Sequence, residues 1–210
     1  MATGAGSLAI ASGGSSSAEA TGGSGNTAIA IGEPVPLDET NSATTFARAV
    51  QGDHNTAVII GDGGYAESGV GNQNTAVGLG DTPALDFHQT GAQAGNGDRN
   101  TALALGDGTG AYGRSGNGNV ATAVGNAIIA GAAAGNDNRS TLIGGGGSTT
   151  FALFGDRNAA TAIGSSSGAG AGEGVDNAAT VIGDNSTAGA YAPLGCTTTV
   201  IGDGQSRSCP

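Results

Sequence analysis

Few side chains in this sequence are equipped for chemistry, and their spacing limits what that chemistry is. Cys196 and Cys209 enclose 12 residues, a loop that one disulfide closes easily. No CxxC-type pair suggests zinc or a redox centre. His54 and His88 fall in different repeats, and neither a Gly-x-Ser-x-Gly elbow nor a Cys/His pair accompanies them. No nucleophile or base can therefore be named, and the expectation is that the protein is not an enzyme. Gly-Asp-Gly recurs at 61–63, 106–108 and 202–204. Carboxylates and turn carbonyls are calcium ligands, but the Gly-Gly-x-Gly-x-Asp nonapeptide is not repeated here. Aspartate also serves turns on its own account. These residues read as turn aspartates, calcium being the competing assignment and no other cofactor being indicated.

What does recur is Asn-Thr-Ala-x-x-(Ile/Leu)-Gly, unbroken at Asn26, Asn55, Asn74 and Asn100. Looser copies start at Asn119, Asn138, Asn158 and Asn177, and Ser7 and Cys196 keep the register with another first residue. The steps between copies are 19, 29, 19, 26, 19, 19, 20, 19 and 19 residues. A unit of 19 residues held over the whole chain is the mark of a solenoid.

Each unit divides into two strands and two turns. Counting the Asn as position 1, positions 2–6 form the first strand and position 7 is always Gly, as a turn needing positive φ or close backbone approach requires. The second strand carries Ala-x-Ala, as at Ala47/Ala49, Ala92/Ala94 and Ala130/Ala132. Its variable middle residue faces out and the alanines face in. The predicted fold is all-β: one parallel β-solenoid domain over residues 1–210, of about ten coils. At about 4.8 Å per coil its rod is roughly 45 to 50 Å long. The asparagines stack into a structural ladder whose side-chain amides pair up the column. Residues 196–210, closed by the disulfide, are expected to cap the C-terminal end, where strand edges would otherwise stand open.

The first strand leaves one question open. Positions 3 and 5 are mostly Ala, whereas position 6 is Ile31, Ile60, Leu79, Leu105, Val124, Ile143, Ile163, Ile182 and Ile201. If the alanines face in, this aliphatic column is an exposed stripe and marks an interface; if the large residues face in, the coil fills itself. Insertions near 33–51 and 81–96 supply candidate binding loops. The first contains Asp38, Phe46 and Arg48, the second Asp86, Phe87 and His88.

The formal net charge is -11, with six Arg and no Lys. No basic stripe is available for nucleic acid. No apolar run is long enough to span a bilayer. No secretory leader precedes Ala2, so if the chain is exported, residue 1 begins the mature protein. A disulfide would place it outside the cell, secreted or at the surface.

The repeats resemble the heads of trimeric autotransporter adhesins, the YadA-like β-roll repeats. Asn100 to Gly106 is similar to that family's Ser/Asn-(Val/Ile)-Ala-(Ile/Leu)-Gly strand. Ala92-Gln93-Ala94 is similar to its Ala-x-Ala-x-Gly strand, with Gly95 one residue early. The unit here is longer, and no heptad stalk follows. The resemblance implies left-handed β-rolls that trimerise through the aliphatic column and serve adhesion at a cell surface. The partner is then the chain itself or an extracellular surface. Two other functions fit a stacked rod: a self-assembling fibre subunit, through Asn ladders and open ends, and an ice-binding protein, through threonines at positions 2 and 4.

Overall fold

The computed structural model describes residues 1–13, 15–32, 44–81 and 90–209. Twenty strands alternate between two sheets. The first sheet takes β1 (Leu8–Ser12), β3 (Thr27–Ile31), β5 (Thr56–Ile60), β7 (Thr75–Leu79), β9 (Thr101–Leu105), β11 (Val120–Asn126), β13 (Arg139–Gly145), β15 (Ala159–Ser165), β17 (Ala178–Ile182) and β19 (Thr197–Ile201). The second takes β2 (Ser16–Thr21), β4 (Thr45–Val50), β6 (Tyr65–Gly69), β8 (Gly91–Gly95), β10 (Gly110–Arg114), β12 (Ile129–Ala133), β14 (Thr149–Leu153), β16 (Gly168–Gly172), β18 (Thr187–Tyr191) and β20 (Ser206–Ser208). Every pairing is parallel and joins one coil to the next. The chain is a parallel β-solenoid of about ten coils, two strands to a coil.

Register follows the repeat. Ala102 lies opposite Ala121, and Leu105 opposite Val124. Within the first strands after β1 burial alternates: in β9 Ala102 and Ala104 are fully buried, Thr101, Leu103 and Leu105 half-buried. The second strands answer with Ala111, Ala130 and Ala132. The interior is therefore alanine against alanine, and the aliphatic column lies outside. Only short side chains allow two sheets to approach this closely, and each Ala methyl is covered by its copies above and below.

The few large interior side chains compensate for missing ones. Ile59 is fully buried at the position where the flanking strands β3 and β9 carry Ala30 and Ala104. A Cβ on Gly78 would lie 2.6 Å from Ile59 Cδ1, and one on Gly64 would lie 2.8 Å from it. Ile59 occupies the space both glycines leave.

The position-7 glycines answer to two constraints at once. Gly61 has φ 130°, and a Cβ there would stand 2.1 Å from the Gly80 carbonyl oxygen of the next coil. Any side chain would both strain the backbone and separate the coils.

Two expectations need correction. Phe46 and Arg48 belong to β4, a regular strand of the second sheet, and not to a loop. Ala47 and Ala49 bury there as Ala18 and Ala20 do in the preceding coil, so the packing pattern resumes before the insertion has been counted off. The other insertion likewise ends in β8. Asp38, Asp86, Phe87 and His88 lie outside the described residues. The asparagines also bond otherwise than by amide-to-amide pairing, as described below.

Candidate functional site: the buried ladders and the two outer faces

The Asn column is fully buried from Asn26 to Asn177. The Asn119 N–H donates to Asn100 Oδ1 at 3.0 Å, and its Nδ2 donates to the Gly135 carbonyl of the next coil at 2.8 Å. The same two bonds recur along the column, ending where the Cys196 N–H donates to Asn177 Oδ1 at 2.9 Å. Side-chain amides thus bond to backbone. Amide-to-amide pairing would leave the turn carbonyls and the Asn N–H groups buried without partners.

A second buried ladder lines the opposite turn. The hydroxyls of Thr45, Thr90, Thr109, Ser148, Ser167 and Ser186 donate to the position-7 glycine carbonyls Gly61, Gly106, Gly125, Gly164, Gly183 and Gly202. Sequence reasoning missed it, although a Thr or Ser two residues before the first Ala of Ala-x-Ala was available as its signal.

The turn aspartates form exposed ladders. The Asp62 N–H donates to Asp81 Oδ1 and the Asp81 N–H to Asp107 Oδ1, both at 2.9 Å. On the return turn Asp53, Asn72, Asp98, Asn117, Asn136 and Asp156 do the same. These carboxylates are occupied as backbone acceptors. Among the described residues, no group of three or more His, Cys, Asp or Glu could hold a metal ion.

The outer face of the first sheet carries the aliphatic column. Ile31 is 39% exposed, Ile143 44% and Ile201 73%; Ile60, Leu79, Ile163 and Ile182 are exposed as well. Leu105 and Val124 are half-buried by their neighbours. Two further columns run beside it. Position 2 holds Thr27, Thr56, Thr75 and Thr101. Position 4 holds Ile29, Val58, Val77 and Leu103, then Thr122, Thr141, Thr161, Thr180 and Thr199. Of the thirty outward positions, three in each of ten strands, Arg139 alone is charged.

The outer face of the second sheet is polar and aromatic. Glu19, Arg48, Glu67 and Gln93 follow one another in register, and Tyr112 comes next. Burial pushes the Tyr65 phenol well above its ordinary range, and its bond to Tyr112 adds to the shift. His54 sits exposed in a return turn at φ 58°.

Cys196 and Cys209 form a disulfide, with Cα atoms 6.4 Å apart, within the span such a bridge tolerates. It joins the residue before β19 to the residue after β20. No described helix is long and apolar enough to cross a membrane. In comparisons with known proteins, no protein-family model, no curated protein and no solved structure matches this chain.

Proposed function

We propose that this chain is a non-enzymatic structural or adhesive protein, secreted or displayed at a cell surface, that self-associates through the outer face of the first sheet. The observation that carries the reading is the near-absence of charge on that face. The chain has 17 Asp and Glu residues, yet none occupies the thirty outward positions. Two copies of so acidic a molecule repel each other everywhere except along a face of this kind. Its size also suits association. Ten strands of five residues give a face of roughly 45 by 16 Å, about 700 Å², close to the ~800 Å² that each partner of a stable complex buries. Trimerisation through this column is what the likeness to YadA-like heads implies, and the outward aliphatic residues support it.

Light scattering on a sizing column tests the reading. The wild-type mass should be a fixed multiple of 19.6 kDa, and Ile163→Asp should run as a folded monomer. A wild type that stays monomeric at high concentration would sink the proposal. A mass that climbs with concentration would favour a fibre.

One observation favours a second reading. Threonines at positions 2 and 4 lie on the same face, charged only at Arg139, and repeat at the coil spacing of about 4.8 Å, as a surface ordering water for ice would need. A monomer that shows thermal hysteresis in freezing assays would transfer the function to ice binding.

A further inference from the structure

The second sheet faces away from the proposed self-association face, and its polar side chains are joined into one chain. Arg114 Nη1 donates to Gln93 Oε1, and Gln93 Nε2 donates to Glu67 Oε2 at 3.1 Å. Glu67 Oε1 lies 3.7 Å from Arg48 Nη1, and Arg48 Nε lies 3.4 Å from Glu19 Oε2. That last approach is too bent for a hydrogen bond, so the buried Nε has no acceptor.

An aromatic platform lies alongside. The Tyr65 ring rests on Gly91 of the next coil, where a Cβ would come within 2.2 Å of a ring carbon. Its hydroxyl reaches the Tyr112 hydroxyl at 3.2 Å, and the Arg114 guanidinium stands 5.3 Å from the Tyr112 ring centroid. On the other flank Gly69 and Gly95 leave a shallow indentation bounded by Glu67, Gln93 and Arg114.

We infer that this surface across β6, β8 and β10 is a glycan-binding platform, and that its ligand is a neutral, extended polysaccharide lying along the stack. A pyranose ring presents an apolar C–H face to an aromatic ring and hydroxyls at its edge. The Tyr65 ring, backed by glycine, meets the first. The planar carboxylate, carboxamide and guanidinium groups meet the second, because each holds two hydrogen-bonding atoms at the spacing of neighbouring hydroxyls. Acceptors and donors alternate along the column, Glu67 accepting, Gln93 doing both and Arg114 donating. The molecule's net charge of -11 opposes an anionic glycan. The ring repeat of a β-1,4-linked hexose chain is close to the coil spacing, so successive sugars meet successive coils.

The test is titration calorimetry with cellohexaose, alongside maltohexaose and a hyaluronan hexasaccharide. Cellohexaose should bind saturably and better than either comparison. Gln93→Ala, a half-exposed position, should weaken it at least tenfold with an unchanged melting temperature, whereas Tyr65→Phe, which keeps the ring, should hold within about threefold. Absence of saturable heat with cellohexaose overturns the inference. So does an undiminished Gln93→Ala affinity, or a preference for maltohexaose or hyaluronan. Ile163→Asp, on the opposite sheet, should bind as wild type does. A failed self-association and a failed glycan site are therefore read separately.

Discussion

Asn119 illustrates the demand on one ladder position. Its amide donates to the half-buried Gly135 carbonyl and receives the buried Asn138 N–H at 3.1 Å. Asn119→Ala leaves a carbonyl and an N–H without partners, at about 1–3 kcal/mol each. A melting temperature lower by several degrees follows, since roughly 2–4 °C accompanies each kcal/mol in a chain of this size. An unchanged melting curve would mean that the ladder is not needed for the stack. Arg157 and Asp176 are the opposite case. Arg157 Nε and Nη2 bond both oxygens of Asp176 at 2.7 and 2.8 Å, fully in solvent. The bidentate bond, more than the Coulomb attraction, holds the Asp176 carboxyl below its ordinary value of 3.8. Its pKa is depressed on folding, so its stabilisation is present above the ordinary carboxylate range and is lost as pH falls through the lowered value. Solvent screening keeps that contribution small. NMR titration of Arg157→Gln should find Asp176 back near the usual carboxylate pKa; a value that stays low would assign the shift to another cause.

Between adjacent strands, packing is shared across coils and not contained in one residue. Ile59 of β5 fills the places of two absent methyl groups, at Gly64 and at Gly78 of β7. Gly78→Ala alone overpacks, at about 1–3 kcal/mol. Ile59→Ala alone leaves a cavity, at about 2–5 kcal/mol. The double variant gives β5 and β7 the alanine that β3 and β9 carry at this position, Ala30 and Ala104, so its loss should be smaller than the two single losses added, with a coupling of about 0.5–3 kcal/mol in a double-mutant cycle. Strict additivity in denaturant melts would refute this account of the pocket. The same compensation explains what could be read in advance. The asparagines, the position-7 glycines and Ala-x-Ala announced the coil because each holds the same place in all or most copies. The inward face could not be read from Thr101-Ala102-Leu103-Ala104-Leu105, where both alternating sets are apolar. The small opposing strand decides it. Setting Ala66 and Ser68 against Ala92 and Ala94 places Tyr65 opposite Gly91, but that the ring folds down onto the glycine is a matter of side-chain rotamer, which sequence spacing does not give.

The molecule as a whole is a stack in which each coil touches only its neighbours, so its stability is a sum of local terms and its ends are the weak points. β19 is the last strand of the first sheet, with one edge unpaired. The amide ladder ends there as well, because Cys196 accepts no burden that an Asn would pass on: its N–H is taken by Asn177, and its side chain is committed to Cys209. Closing a loop of this length stabilises by about 3 kcal/mol in the chain-entropy model. That stabilisation is confined to the last coil, which makes the effect of reduction local. Hydrogen exchange should accelerate in β17, β19 and β20 and scarcely change in β9 to β12, with a lower melting onset. A loosened β19 also offers free N–H and C=O groups to another chain, so the mass of the reduced protein should rise with concentration where that of the oxidised protein does not. If exchange at the C-terminal coils is the same with and without reductant, the disulfide is no cap, and the open edge must be guarded by something else.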